Sequence, residues 1–146
     1  MIVNDVRVAL YRSFIEEQRA PMAAEIALEM DVSLHEVENA YTQLHDEDVI
    51  ALIPGTKLVW LAHPFCALDA PFMVVSAGSR WDAICIWDAL GILALLQADG
   101  EVQTRCPDCG DEISVLVVEG EVRAERDYVV HFGVPANRWY EDLGHT

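Results

Sequence analysis

The sequence predicts an α+β fold in two parts: a winged-helix-like helical module over residues 1–62, and a small, mostly antiparallel sheet packed on a central helix over residues 63–146. Two observations lead to this prediction. Three segments with apolar residues at helical spacing precede a hairpin pattern. After residue 63, short apolar runs alternate with turn signals around one apolar stretch of helical length. The 146 residues, 53% of them hydrophobic, suffice to bury a core.

The first module is predicted to contain three helices and a hairpin. Asn4 is expected to cap the first helix, and the Pro21 region to break it before a short second helix. Ser33 and Glu36 have the spacing of a capping box, which predicts the start of the third helix. The expected helices cover about residues 4–17, 22–30 and 34–46, and the expected hairpin strands are residues 49–53 and 58–62.

The second part is predicted to place one helix against strands. The stretch from Trp81 to Leu96 is almost wholly apolar and long enough for three or four helical turns. Turn signals at Gly78, Gly100 and Gly120 separate the strands. The expected strands are residues 71–75, 101–105, 113–118, 122–125 and 128–132.

The charge of the chain narrows the range of partners. The formal charge is −16, and both parts are acidic, so the surface repels phosphate backbones and anionic membranes. Residues 31–53, which include the third helix, carry six acidic side chains and no Lys or Arg, whereas a DNA-recognition helix needs cations. We therefore expect a packing or dimerising module, a small-molecule or metal ligand, and neither a nucleic-acid nor a membrane partner. A homodimer formed through the third helix is left open.

The sequence also bears on the compartment. It has no secretory signal and no apolar run long enough to span a bilayer, which predicts a cytoplasmic protein. In that setting the four cysteines favour reduced thiols or metal ligands over disulfides.

Two pairs of residues could carry chemistry. Cys85 and Asp88 lie three positions apart, so on a helix they would share a face and place a soft nucleophile beside an acid. Cys106 and Cys109 have the spacing of a metal knuckle, which is half of a tetrahedral zinc site. The remaining ligands would come from Cys66, Cys85, Asp88 or His131, and the alternative is a turn with merely buried thiols.

The residues from Arg80 to Leu96, followed by residues 101–107 and Gly110, resemble the core of the organomercurial (alkylmercury) lyases. In that family a Cys-x-x-Asp helix is followed, about twenty residues later, by a strand and a further cysteine before a glycine. The resemblance extends more faintly to a winged-helix-like N-terminal half and to residues 129–135. Residues 66–69 repeat the Cys-x-x-Asp spelling but lack the following apolar helix, so the family role falls to Cys85 and Asp88, and Cys66 is predicted to be structural.

The resemblance implies protonolysis of a carbon–mercury bond, without a required cofactor. A thiolate captures the metal, the aspartic acid or a thiol supplies a proton to the leaving carbon, and a second cysteine holds the metal. Residues 125–132 contain no cysteine, and Asp127 stands about where that second thiol is expected. A carboxylate is a hard ligand and a poor substitute for a thiolate toward mercury.

We therefore expect a divergent member of the family, and favour this over a working mercury-detoxification enzyme. The predicted catalytic residues are Cys85, Asp88 and Asp127, and the predicted ligands of a bound zinc, copper or mercury ion are Cys85, Cys106, Cys109 and His131. Four alternatives stay open: Cys106 or Cys109 supplies the second thiol, the scaffold carries out related acid–base chemistry on another small molecule, the chain binds metal without turnover, or it is a winged-helix regulator that senses a ligand.

Overall fold

The chain divides into two compact units, Met1–Leu68 and Asp69–Thr146, each described here by itself. The computed structural model describes residues 2–141 and 143. The last residues of the predicted second domain, 144–146, lie outside that range. Within the described residues, no helix combines the length and the apolar character that crossing a bilayer requires.

The first unit consists of three helices followed by short antiparallel strands. The third helix begins where the capping box predicts: Ser33 Oγ accepts the Glu36 N–H at 3.3 Å, and Glu36 Oε2 accepts the Ser33 N–H at 2.9 Å. Asn4 is not a cap, because the first helix already begins at Ile2. The elements are α1 (Ile2–Glu17), α2 (Ala23–Met30), α3 (Leu34–Asp46), β1 (Ala51–Leu52), β2 (Val59–Ala62) and β3 (Phe65–Cys66).

An aromatic stack connects α1 to the end of this unit. The rings of Phe14 and Phe65 stack with centroids 5.3 Å apart, and both side chains are buried. β3 pairs with β2 in antiparallel register, with Leu61 opposite Cys66. β3 thus lies in the first compact unit, which extends to Leu68, and the predicted domain boundary after Ala62 stays a prediction.

The second unit is a five-stranded antiparallel sheet with one helix on one face. Its strand order is β5-β4-β6-β7-β8, and β8 forms an edge on which every side chain is exposed. Ala89, Ile92 and Leu93 of the helix are buried, as are Val74 and Val102 of the sheet, since the apolar face of the helix covers that side. The elements are β4 (Phe72–Ser76), β5 (Ser79–Ala83), α4 (Ile86–Leu96), β6 (Gly100–Arg105), β7 (Glu112–Val118), β8 (Glu121–Ala124) and a 3₁₀ helix (Ala136–Glu141).

A glycine allows α4 to approach the sheet closely. A Cβ atom on Gly100, at the start of β6, would lie 2.6 Å from Leu93 Cδ2 and 2.7 Å from the Val75 carbonyl oxygen. Both separations are shorter than van der Waals contact, so only a residue without a side chain fits here.

Two sequence predictions for this unit were wrong. The first part of the predicted central helix is β5, which pairs with β4 through a turn at Ala77 and Gly78, both with positive φ. The segment from Tyr128 to Phe132 is not a strand; it is exposed, with Val129 91% accessible, and has no sheet partner among the described residues. The prediction of one helix packed on a mostly antiparallel sheet is confirmed.

Candidate functional site

Cys85 lies at the junction between β5 and α4 and caps the helix. Its backbone is extended, with φ −145° and ψ 166°, and its Sγ accepts the backbone N–H of Asp88 at 3.3 Å. The backbone N–H of Trp87 also donates to this sulfur. The thiol therefore occupies the place at a helix N-terminus where a side-chain oxygen usually satisfies free amides.

The Asp88 carboxylate lies near enough to the Cys85 thiol to act on its pKa. The pKa of Cys85 is raised to about 11, mainly by burial of the half-exposed thiol. The charge of Asp88 also raises it, and the backbone N–H of Asp88 lowers it. At neutral pH the sulfur is therefore protonated, and its proton lies beside a carboxylate. The sequence spacing predicted this proximity, although the pair forms at a helix cap rather than along a helix face.

An apolar cavity lies at the first turn of α4. Trp87, which stands between Cys85 and Asp88 in the chain, is 67% exposed and forms one wall of a cavity of about 390 Å³. Phe132 and Trp139 stack in the opposite wall with centroids 5.3 Å apart, and Trp139 Nε1 donates to the Val134 carbonyl at 3.0 Å. The complete lining is Trp87, Phe132, Val134, Pro135, Ala136 and Trp139.

Sequence reasoning did not single out this cavity. The available signal was a tryptophan inside the Cys-x-x-Asp motif together with an aromatic cluster near the C-terminus. Periodicity gives no information on such a contact, because the C-terminal segment is neither a strand nor an α-helix.

The Cys106–Cys109 turn joins β6 to β7. The Cys106 N–H donates to the Asp111 carbonyl at 2.8 Å, and the Gly110 N–H donates to the Cys106 carbonyl at 2.9 Å. The backbone N–H groups of Cys109 and Asp108 donate to Cys106 Sγ, as does the Cys109 thiol, and these hydrogen bonds lower the pKa of Cys106. Cys106 is half-buried and Cys109 is exposed.

The other predicted site residues are more scattered. Asp127 and His131 lie in the exposed segment that follows β8. Within residues 2–141 and 143, no three His, Cys, Asp or Glu side chains are arranged to hold a metal ion. The expected ligand set of Cys85, Cys106, Cys109 and His131 therefore does not converge in one group, nor does Asp127 join Cys85 and Asp88 in one. Their individual roles stay predictions.

Cys66, the other Cys-x-x-Asp cysteine, is buried in β3 of the first unit. A small buried thiol in a strand is compatible with the structural role predicted for it.

Comparison with known proteins gives two findings. The family model for alkylmercury lyase (MerB) matches residues 65–144. The crystal structure of the mercury-bound form of MerB2 is similar in fold, with a TM-score of 0.64 and 18% sequence identity, over 84% of this chain and 58% of that one. The chain thus spans less than two thirds of the MerB2 length, and no curated protein matches it. Since the family model covers more than half of the chain, including both Cys85 and Asp88, the protein belongs to the alkylmercury lyase family.

Proposed function

We propose that this protein cleaves carbon–mercury bonds by protonolysis, with Cys85 as the mercury ligand and Asp88 as the proton donor. The observation that carries the proposal is the placement of the Cys85 thiol beside Asp88 at the start of α4, where the sulfur accepts the Asp88 N–H and the Asp88 carboxylate acts on the thiol. Membership of the alkylmercury lyase family supports the choice of reaction.

The reaction needs two steps at this pair. In the first step, an organomercury compound bound to a small thiolate exchanges that thiolate for Cys85. The Hg–Sγ bond to Cys85 forms, the bond between mercury and the small thiolate breaks so that the thiolate leaves, and Cys85 gives up its proton to Asp88. The Asp88 acid then protonates the carbon, so that the C–Hg bond breaks, a C–H bond forms and hydrocarbon leaves. Mercury(II) remains on the Cys85 sulfur and the newly formed Asp88 carboxylate.

The high pKa of Cys85 suits this sequence. Because its pKa is high, the Cys85 thiol keeps its proton until mercury displaces it. The proton is therefore already in the site when the substrate binds. The adjacent carboxylate can accept the proton without exchange with bulk water, because the two groups lie on the same helix turn next to each other.

The cavity beside Trp87 suits the organic group of the substrate. Trp87, Phe132 and Trp139 provide an apolar surface at the first turn of α4, where the thiol and the acid also lie. Burial of a hydrocarbon group there would be favourable in proportion to its apolar area.

We further infer that this chain is a divergent member of the family. It has no cysteine in residues 125–132, and Asp127 and His131 are the side chains proposed to contact the ion from that segment. The first unit is inferred to be a winged-helix-type module that does not bind DNA, which the three helices, the hairpin and the acidic α3 support. The weaker second ligand predicts weaker retention of the mercuric product rather than loss of the bond-breaking step.

The test is hydrocarbon release from a phenylmercury salt in excess small thiol, followed by gas chromatography. Wild-type protein should release benzene, and Cys85→Ser and Asp88→Asn should not. Cys66→Ala and Asp69→Asn are matched controls, because they alter the other Cys-x-x-Asp sequence, and both should keep the activity. Absence of turnover in correctly folded wild-type protein would refute the proposal.

A second candidate function, metal binding without turnover, is favoured by the hydrogen-bonded thiols of Cys106 and Cys109. Stoichiometric zinc, copper or mercury in gently purified protein, together with no hydrocarbon release, would select it.

A further inference from the structure

The turn between β6 and β7 holds two thiols in a fixed relation. Cys106 and Cys109 lie three positions apart in this turn, and Cys109 and Asp108 both lower the pKa of the Cys106 thiol. The turn is closed by the hydrogen bonds of Cys106 to Asp111 and of Gly110 to Cys106. Gly110 has φ +76°, a conformation that side-chain-bearing residues rarely adopt. The chain thus holds a sulfur pair in place before any ion arrives.

This pair can supply two soft ligands and, among the described residues, is joined by no third. No group of three or more His, Cys, Asp or Glu that could hold a metal occurs there. A tetrahedral zinc site needs four ligands, whereas mercuric, cuprous and silver ions form stable complexes with two thiolates. The ligand count therefore favours a thiophilic ion in linear coordination.

The pair lies at the same end of the sheet as Cys85. Met73 of β4 pairs with Asp82 of β5 on one side and with Gln103 of β6 on the other. β5 and β6 both run antiparallel to β4, so they run in the same direction. Cys85 comes three residues after Asp82, and Cys106 comes three residues after Gln103. Two strand spacings separate β5 from β6, which is about 10 Å.

The surroundings of the turn favour a cation. Asp108 and Asp111 lie within the turn or next to it, and both are exposed. Arg105 is paired with Glu112, so its charge is offset at the base of the turn. An acidic rim of this kind raises the local concentration of cations.

We propose that Cys106 and Cys109 form a second site, which binds mercuric ion between two thiolates and receives it from Cys85. Binding of the free ion forms two S–Hg bonds and releases two protons. In the transfer, the two sulfurs replace Cys85 Sγ and the Asp88 oxygen on mercury; one of their two protons returns to Cys85 and the other leaves to solvent. The transfer thus restores the protonated thiol beside the Asp88 carboxylate, which is the state that the next turnover needs. The site itself stands without the lyase reaction; its role as acceptor rests on the proposed function.

The experiment locates one equivalent of mercuric chloride on the reduced full-length chain, without any turnover. Cysteines are then alkylated and identified by mass spectrometry of peptides. We expect Cys106 and Cys109 to be protected, and Cys85 to be alkylated as fully as in mercury-free protein. Protection of Cys85 with free Cys106 and Cys109 would overturn the proposal. Because no substrate is cleaved, this result is independent of whether the chain is an active lyase.

Variants measure how strongly the pair binds. Cys85→Ser should retain one mercuric ion per chain, detected by native mass spectrometry and by thiolate-to-mercury absorbance. Adding Cys109→Ser should weaken retention against a competing monothiol about 100-fold or more, since the two-point attachment is lost. Adding Cys66→Ala instead should leave retention unchanged. Equal retention of mercuric ion in all three variants would contradict the site. A dimer that holds zinc through four thiolates and retains no mercury would also contradict it.

Discussion

Cys85 Sγ lies 3.3 Å from the backbone nitrogen of Asp88 and accepts its N–H, so one thiol both closes the first turn of α4 and contacts the acid of that turn. A sulfur is an unusual choice for a helix cap, because Ser, Thr, Asp and Asn are the preferred residues. An oxygen-bearing side chain would therefore cap this helix better than the thiol does.

The first prediction concerns the serine variant at this cap. Cys85→Ser should keep or raise the free energy of unfolding of the wild-type protein. Its free energy of unfolding should be about 1 kcal/mol higher than that of Cys85→Ala, because serine is a strong cap and alanine offers no acceptor. Urea unfolding followed by circular dichroism measures both. A serine variant no more stable than the alanine variant would show that the cap contributes nothing.

The second prediction is the pH dependence of the Cys85 thiol. Its pKa is raised to about 11, so alkylation of Cys85 should be slow at neutral pH and should accelerate until about that pH. Asp88→Asn should move this profile to lower pH, since it removes a negative charge beside the sulfur. Peptide mass spectrometry after timed iodoacetamide treatment gives the rates, with Cys106, whose pKa is lowered, as the internal comparison.

The same shift fixes a stability trend. The unfolded chain loses the thiol proton near the ordinary cysteine pKa of about 8.5, whereas the folded chain keeps it to about 11. The contribution is therefore complete below the unfolded pKa and is lost as pH rises toward the folded one. Wild-type protein should lose more stability than Cys85→Ser across this window; parallel curves would contradict the burial of the thiol.

The third prediction tests the approach of α4 to the sheet. Gly100→Ala should destabilise the protein by about 1–3 kcal/mol, because the new Cβ would meet Leu93 Cδ2 and the Val75 carbonyl oxygen. Chemical denaturation measures the loss. Adding Leu93→Ala to Gly100→Ala should cost less than the two separate losses combined, since one of the clashing groups is then gone. Strict additivity would indicate that Leu93 does not constrain this position.

The fourth prediction concerns the cavity. Trp87→Ala should raise the KM for a phenylmercury substrate more than for methylmercury, because it removes one wall of the apolar cavity while leaving the backbone of the cap in place. Steady-state hydrocarbon release gives both constants. Leu95→Ala is a suitable control, since Leu95 is also an exposed apolar residue of α4 but does not line the cavity. Equal changes in KM for the two substrates would show that the cavity does not bind the organic group.

The fifth prediction concerns the first unit. Phe65→Ala should cost about 3–5 kcal/mol, because Phe65 is buried and stacked on Phe14. Phe65→Leu should cost less, since it keeps apolar volume in the core. Thermal unfolding compares the two variants, and a small loss in Phe65→Ala would argue against assigning β3 to this unit.

Much of the fold could be predicted from local chemistry. The Ser33–Glu36 capping box, the Gly120 turn and the helical spacing of α1 and α3 each have a short-range cause that is visible in the sequence. The pairing of Cys85 with Asp88 was predictable for the same reason, since their separation in the chain is only three residues.

The errors arose where tertiary contacts decide the structure. The apolar run from Trp81 onward serves first as a strand and then as a helix, and an apolar run does not by itself distinguish the two. Residues 128–132 have strand-forming composition, but strand preference reflects burial against neighbours, and this segment has none of its own in the sheet. The cavity at Trp87 depends on contacts across about 50 residues of chain, which spacing rules do not reach.

The edge strand β8 has a consequence for the behaviour of the protein at high concentration. Glu121 and Arg123 alternate with small or apolar residues along this four-residue strand, and all of its side chains are exposed. Short, charged edge strands disfavour pairing with a strand of another molecule, because the incoming strand must desolvate those charges. Substituting Glu121 and Arg123 with threonine would remove this barrier, and intermolecular β-pairing would then compete with solubility.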